Sequence, residues 1–109
     1  AIEDFTKSIE IRFEFIDAYC NRGLCKAELD DYEGFSTDFK KAIELANSYS
    51  SKEELDSLYG EYYYTEAMFK EKKNDLLGVK SNLNLAVSYG NDEAKEALLK
   101  IEELKIKDY

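Results

Sequence analysis

The sequence predicts an all-α protein built from antiparallel helical hairpins, on three observations. Apolar residues recur at spacings of three and four along nearly the whole chain, which is the period of one helical face. The 109 residues include no proline and only five glycines, so little opposes long helices. An octet near the N-terminus, DFTKSIEI at Asp4–Ile11, returns 34 residues later as DFKKAIEL at Asp38–Leu45. A helix–turn–helix unit repeated at that period is the mark of a solenoid. Hydrophobic residues at 44% and charged residues at 36% are a globular balance, and the length suits one domain with a modest core.

The elements follow in order. Ile2, Phe5, Ile9 and Phe13 share one face of a first helix over residues 1–15. Asp17 is read as the N-cap of a second helix ending near Leu29, on which Ala18, Tyr19, Arg22, Gly23 and Lys26 lie on one side. There the stems of Arg22 and Lys26 are expected to cover apolar surface. Asp30, Asp31 and Tyr32 make a turn, and Phe35, Phe39, Ala42, Ile43 and Ala46 form the inner face of a third helix, Glu33–Ser48. Ser51 followed by Glu54 resembles a capping box that starts a long helix, Lys52–Lys73, with Gly60 inside it. Asn74-Asp75 turns the chain into a helix from Leu76 to Tyr89. Gly90 ends that helix in a left-handed conformation, and Asn91 or Asp92 caps a last one reaching Lys107. Its inner positions are Ala94, Ala97, Leu98, Ile101 and Leu104. The count is about six helices. At an offset of 44 residues, Gly34, Phe39, Ala42 and Ile43 fall on Gly78, Leu83, Ala86 and Val87, so the second hairpin is a lengthened copy of the first.

With Tyr19 in the first aromatic place, Gly23 in the glycine place and Phe39 and Ala42 on the second helix, the chain resembles the tetratricopeptide repeat family. Asn21-Arg22-Gly23 looks like a bacterial-type spelling of its first helix. The sequence departs from the family pattern at Arg22 for Leu, Lys26 for Tyr, Phe35 for Ala and Asn47 for the closing Pro. The resemblance implies a right-handed α-α superhelix forming a single domain, 1–109. Residues 1–15 would be the second helix of a partial repeat, 16–48 a complete repeat, 51–90 a lengthened repeat and 91–107 a capping helix. At Gly23 and Ala42, small side chains are expected to let helices approach closely. Phe35 is expected either to push the hairpin's helices apart or to fill a gap.

Function is narrowed first by what the residues exclude. There is no histidine, no nucleophile elbow and no phosphate-cradling glycine loop, so no enzyme is expected. A net charge of −9 repels phosphate backbones and anionic lipid, which argues against nucleic-acid and membrane partners. No apolar run approaches the roughly 20 residues of a membrane span, and no signal peptide opens the sequence. Cys20 and Cys25 lie five residues apart on one helix and diverge by about 140°. They read as small buried thiols in the reducing compartment of a cytoplasmic protein, and without histidine no metal site or cofactor is expected.

What the family resemblance implies positively is a protein-interaction scaffold that binds a peptide or helix along the first helix of each hairpin. Carried onto this chain, the binding residues are Cys20, Asn21, Leu24 and Glu28 on one helix and Tyr64, Met68 and Glu71 on the other. Asn21 resembles the family's backbone-binding asparagine. Glu61 and Thr65 stand where a carboxylate clamp would offer Lys and Arg, which rejects C-terminal tail ligands of that kind. An apolar floor with an acidic rim suits a protein or peptide with hydrophobic anchors and basic flanks. The alternative is an assembly module that self-associates weakly through the face of Phe5, Ile9 and Phe13. In the Tyr62-Tyr63-Tyr64 run, Tyr63 is expected in the core, Tyr64 in the groove and Tyr62 against the preceding repeat.

Overall fold

The computed structural model describes the backbone of residues 2–107 and the side chains of residues 14–103. Five α-helices, and no strands, make up the described residues: α1 Ile2–Glu28, α2 Tyr32–Tyr49, α3 Lys52–Lys72, α4 Leu76–Ser88 and α5 Asp92–Lys107. The all-α class stands. The expected break before Asp17 does not: Ile2 to Glu28 form one continuous α1, so the count among the described residues is five rather than about six. The reason is local. Neither Gly nor Pro occurs between Ile2 and Asn21, and Asp17 is an exposed residue inside the helix instead of its cap. None of the helices, among the described residues, is long and apolar enough to cross a membrane.

Three turns connect helices by one recipe. Asp30, Asn74 and Gly90 have φ of 63°, 61° and 89°, the left-handed region that Gly, Asn and Asp enter most readily. The next residue's N–H reaches back to a carbonyl five residues earlier, in Asp31 to Lys26, Asp75 to Lys70 and Asn91 to Ala86. That bond and a shorter partner close each helix end as a Schellman motif. The same residue then caps the following helix. Side-chain oxygens of Asp31, Asp75 and Asn91 accept from the N–H of Gly34, Gly78 and Ala94 at 3.0, 3.0 and 2.9 Å. Gly34 and Gly78 recur because a Cβ at either would collide with the capping carboxylate and with the stem of Lys26 or Lys70. The Ser51 hydroxyl accepts from the Glu54 N–H at 3.2 Å and starts α3 as its sequence suggests.

The chain divides into two compact units, Ala1–Leu58 and Tyr59–Tyr109. In the first, α1 and α2 form an antiparallel hairpin. Ile16, Cys20, Phe35, Phe39, Ala42, Ile43 and Ala46 are buried. The α2 members are spaced by three and four, so one stripe of that helix supplies most of the core. The Phe35 and Phe39 rings are fully buried with centroids 5.2 Å apart. A Cβ on Gly23 would lie 3.1 Å from the Phe39 ring and 3.3 Å from the Phe35 carbonyl oxygen. The helices therefore cross as closely as backbones allow, and Phe35 fills space without spreading them.

In the second unit, Ala67, Val79, Leu83, Ala86 and Ala94 form the core, with Tyr63, Tyr64, Val87, Ala97, Leu98 and Ile101 packed against it. Leu104, also expected inward, has its side chain outside the described residues. Tyr59, Tyr63 and Tyr89 stack near-parallel, with centroids 5.1 to 6.4 Å apart. Tyr62 meets Tyr63 edge-on at 5.4 Å. Gly23→Leu should lower unfolding free energy by about 1–3 kcal/mol through overpacking. Urea titration checks this, and an unchanged midpoint would move the helix crossing away from Gly23.

Candidate functional site

The most constrained polar residue of the first unit is Asp38, which is 2% exposed on the apolar stripe of α2. Its carboxylate accepts from Arg22 Nε at 2.8 Å and Nη2 at 2.7 Å. Lys26 Nζ lies 3.2 Å from Oδ2, the oxygen that also accepts from Arg22 Nε. Arg22 and Lys26 are one turn apart on α1, so both reach one point on the opposite helix. The Tyr19 ring lies 5.4 Å from the Arg22 guanidinium carbon and steadies it. The Arg22 hydrogen bond holds the Asp38 carboxyl below its usual range; burial opposes this, and Lys26 adds to it.

The second unit rebuilds this bracket with other chemistry. Asn82, 4% exposed, stands at the Asp38 register. Its Nδ2 donates to Glu66 Oε1 at 2.9 Å, and its Oδ1 accepts from Lys70 Nζ at 3.2 Å. Glu66 and Lys70 hold the places of Arg22 and Lys26 at the 44-residue offset. Among the described residues, no buried side-chain nitrogen or oxygen lacks a hydrogen-bond partner. Neither bracket was anticipated from the sequence, where Arg22 and Lys26 read as stems over apolar surface. The available signal was an acid within the α2 stripe, between Phe35 and Ala42, opposite a basic i, i+4 pair.

The brackets face the hairpin interiors, which leaves the outer faces of the first helices for contact. On α1, Asn21 and Glu28 are exposed and Leu24 is half-buried, forming one strip. Cys20, expected in the same strip, is buried and belongs to the core, whereas Cys25, expected to be a buried thiol, is exposed because it lies on the other side of α1. On α3, Met68 is 49% exposed and Glu71 is exposed beside it. Tyr64 is half-buried against the second core, so only part of its ring remains for a partner. Thr65 is buried. Of the tyrosine run, Tyr62 is the most buried, while Tyr63 and Tyr64 both sit half-covered. Burial and then the charge of Glu93 push the Glu61 carboxyl up; burial and then Tyr89 push up the Tyr63 hydroxyl.

No family model, curated protein or solved structure matches this chain. Exposed leucines also gather at the hairpin ends, with Leu29 81%, Leu76 70% and Leu77 83% exposed. Among the described residues, no three His, Cys, Asp or Glu side chains converge as metal ligands.

Asp38 binds its proton more weakly folded than unfolded. Its stabilisation is therefore complete above the unfolded value of about 3.9 and is lost as pH falls through the lower folded value. Wild type should lose more stability than Asp38→Asn between about pH 5 and pH 2, as followed by urea midpoints across that range. The two brackets also predict an exchange. Arg22→Glu alone should lower the melting temperature by placing a second carboxylate against Asp38, whereas Arg22→Glu with Asp38→Asn reproduces the Glu66–Asn82–Lys70 arrangement and should recover most of the loss. Additive effects in that double-mutant cycle would sink the equivalence.

Proposed function

We propose that this chain is a non-enzymatic protein-interaction module of tetratricopeptide-like hairpins, binding a peptide or partner helix on the first helix of each hairpin. The observation that carries the reading is repetition in three dimensions. After 44 residues the same Schellman turn, the same Asx cap onto a glycine and the same three-residue polar bracket recur. A hairpin reproduced at that level of detail supports a repeat architecture, and repeat architectures present their helix faces for binding.

Each strip has a defined chemistry. Asn21 offers an amide that can both donate to and accept from an extended backbone. Leu24 and Met68 supply apolar contact, and the flexible thioether of Met68 adapts to differing side chains. Glu28 and Glu71 flank these positions with negative charge, in keeping with the net charge of −9. The partner is a protein segment with hydrophobic anchors and basic flanks, whose association is accelerated at low salt.

Met68→Glu tests the reading without disturbing a core, because the side chain is half exposed. Against a peptide alternating leucine and arginine, followed by fluorescence anisotropy, the variant should bind about tenfold more weakly through loss of the apolar contact. Equal affinities would remove the α3 strip from the site.

A further inference from the structure

The α1–α2 and α3–α4 turns share one backbone and carry opposite decoration. Asp30 and Asn74 have φ of 63° and 61°. The N–H groups of Asp31 and Asp75 reach the carbonyls of Lys26 and Lys70 at 2.9 and 3.0 Å. Each aspartate then caps a glycine, both at 3.0 Å. Every residue of 28–33 and of 72–77 is exposed, so side chains alone set what each turn offers to a partner. The first turn carries four carboxylates, Glu28, Asp30, Asp31 and Glu33, and no cation. The second carries Lys72 and Lys73 against one carboxylate, that of Asp75, which caps Gly78. Both turns also hold out leucine: Leu29 in the first, Leu76 and Leu77 in the second.

A lone exposed leucine needs no explanation. Leucines on equivalent turns set among opposite charges are complementary surfaces. At the 44-residue offset Leu29 corresponds to Lys73, and Glu33 to Leu77, so apolar and charged places are exchanged between the turns. Brought tip to tip in antiparallel sense, the first turn of one copy and the second turn of another set Leu29 against Leu77 and Glu33 against Lys73.

We propose that the α3–α4 turn of one copy of this chain docks on the α1–α2 turn of a second copy through these two pairs. A net charge of −9 opposes contact between copies in general, so the lysine-bearing turn is where a second copy meets least repulsion. An anionic membrane would also attract lysine and leucine, but it is repelled by the rest of the chain and leaves the matching acids of the first turn without a role. The contact is heterologous: each pair keeps one unused turn of either kind, so assembly lengthens into chains or closes into rings. Two turn faces are smaller than a standard interface, so the association is weak. The face of Phe5, Ile9 and Phe13, expected to self-associate, has its side chains outside the described residues and is separate from this contact. The inference does not rest on the Asn21 and Met68 strips.

Sedimentation equilibrium of the whole chain from about 10 µM to about 1 mM should show a mean mass that rises with concentration. Glu33→Lys and Lys73→Glu should each weaken association by about tenfold. An equimolar mixture of the two should recover it, because the reversed turn of each meets a matching turn on the other. Leu77→Ala, at a residue 83% exposed, should weaken association to a similar degree. Circular dichroism should show each variant folded as wild type. Met68→Glu should associate as wild type does, so this contact and the peptide-binding strip can fail separately. A constant monomer mass overturns the proposal, as does association that survives both charge reversals or a mixture that recovers nothing. Binding of wild type to phosphatidylserine vesicles that Leu77→Ala abolishes would make a membrane surface the occupant and overturn it as well.

Discussion

A carboxylate buried between two helices has few stable solutions, and the first hairpin is organised around the one it uses. Asp38 sits on the stripe that also carries Phe35, Phe39 and Ala42, where an unpaired charge would be strongly destabilising. Two cations one turn apart on α1 satisfy it, and Gly23 between them lets the backbones close until the Phe39 ring touches the glycine's place. Pairing and close approach depend on each other. A bulkier residue at 23 would lift α2 away from Arg22 and Lys26, and a slip of one residue along either helix would leave Asp38 unpaired. The bracket therefore specifies register as much as it stabilises.

The second unit shows which part of this solution is essential. Asn82 has replaced the acid, Glu66 the arginine, and only the lysine is kept, yet the same three places are bonded across the same crossing. What persists is a satisfied polar group at one height of the hairpin; its charge is free to vary. An amide meets the need with one donor and one acceptor, and Ala67 takes the role of Gly23 at slightly greater bulk. The turns obey similar logic. Each merges the end of one helix and the start of the next into a left-handed residue and a cap, so that orphan carbonyls and N–H groups are satisfied within a few residues. The entry direction of the following helix is thereby set with almost no loop.

Because polar groups at the hairpin interiors are consumed by packing, the interaction role proposed above falls to the outer strips. Burial decides which residues can take part. Cys20 lies one position from Asn21, but one is core and the other surface. Tyr64 divides its ring between the second core and solvent, leaving Met68 and Glu71 as the more accessible part of α3. Acidic residues among these positions match the charge balance of the whole chain, so electrostatics at the strips and over the molecule act in the same direction.

The sequence by itself determined the helical class, the spans of α2 to α5 to within a residue or two, the turn positions, the left-handed Gly90 and the offset linking the hairpins. All of these are local or periodic, and local physics enforces them. The absence of Gly and Pro before Asn21 also signalled a continuous α1, but Asp17, read as an N-cap, pointed to a break there. Tertiary structure alone decided the rest. Periodicity says which residues share a face, but not what the opposing helix places against it. Arg22 and Lys26 have the same spacing whether they lie in solvent or grip a buried acid. Three consecutive tyrosines look alike until the fold leaves Tyr62 the most buried of them. Phe35 could spread a hairpin or fill it, and only the close approach of the helices at Gly23 shows that it fills it.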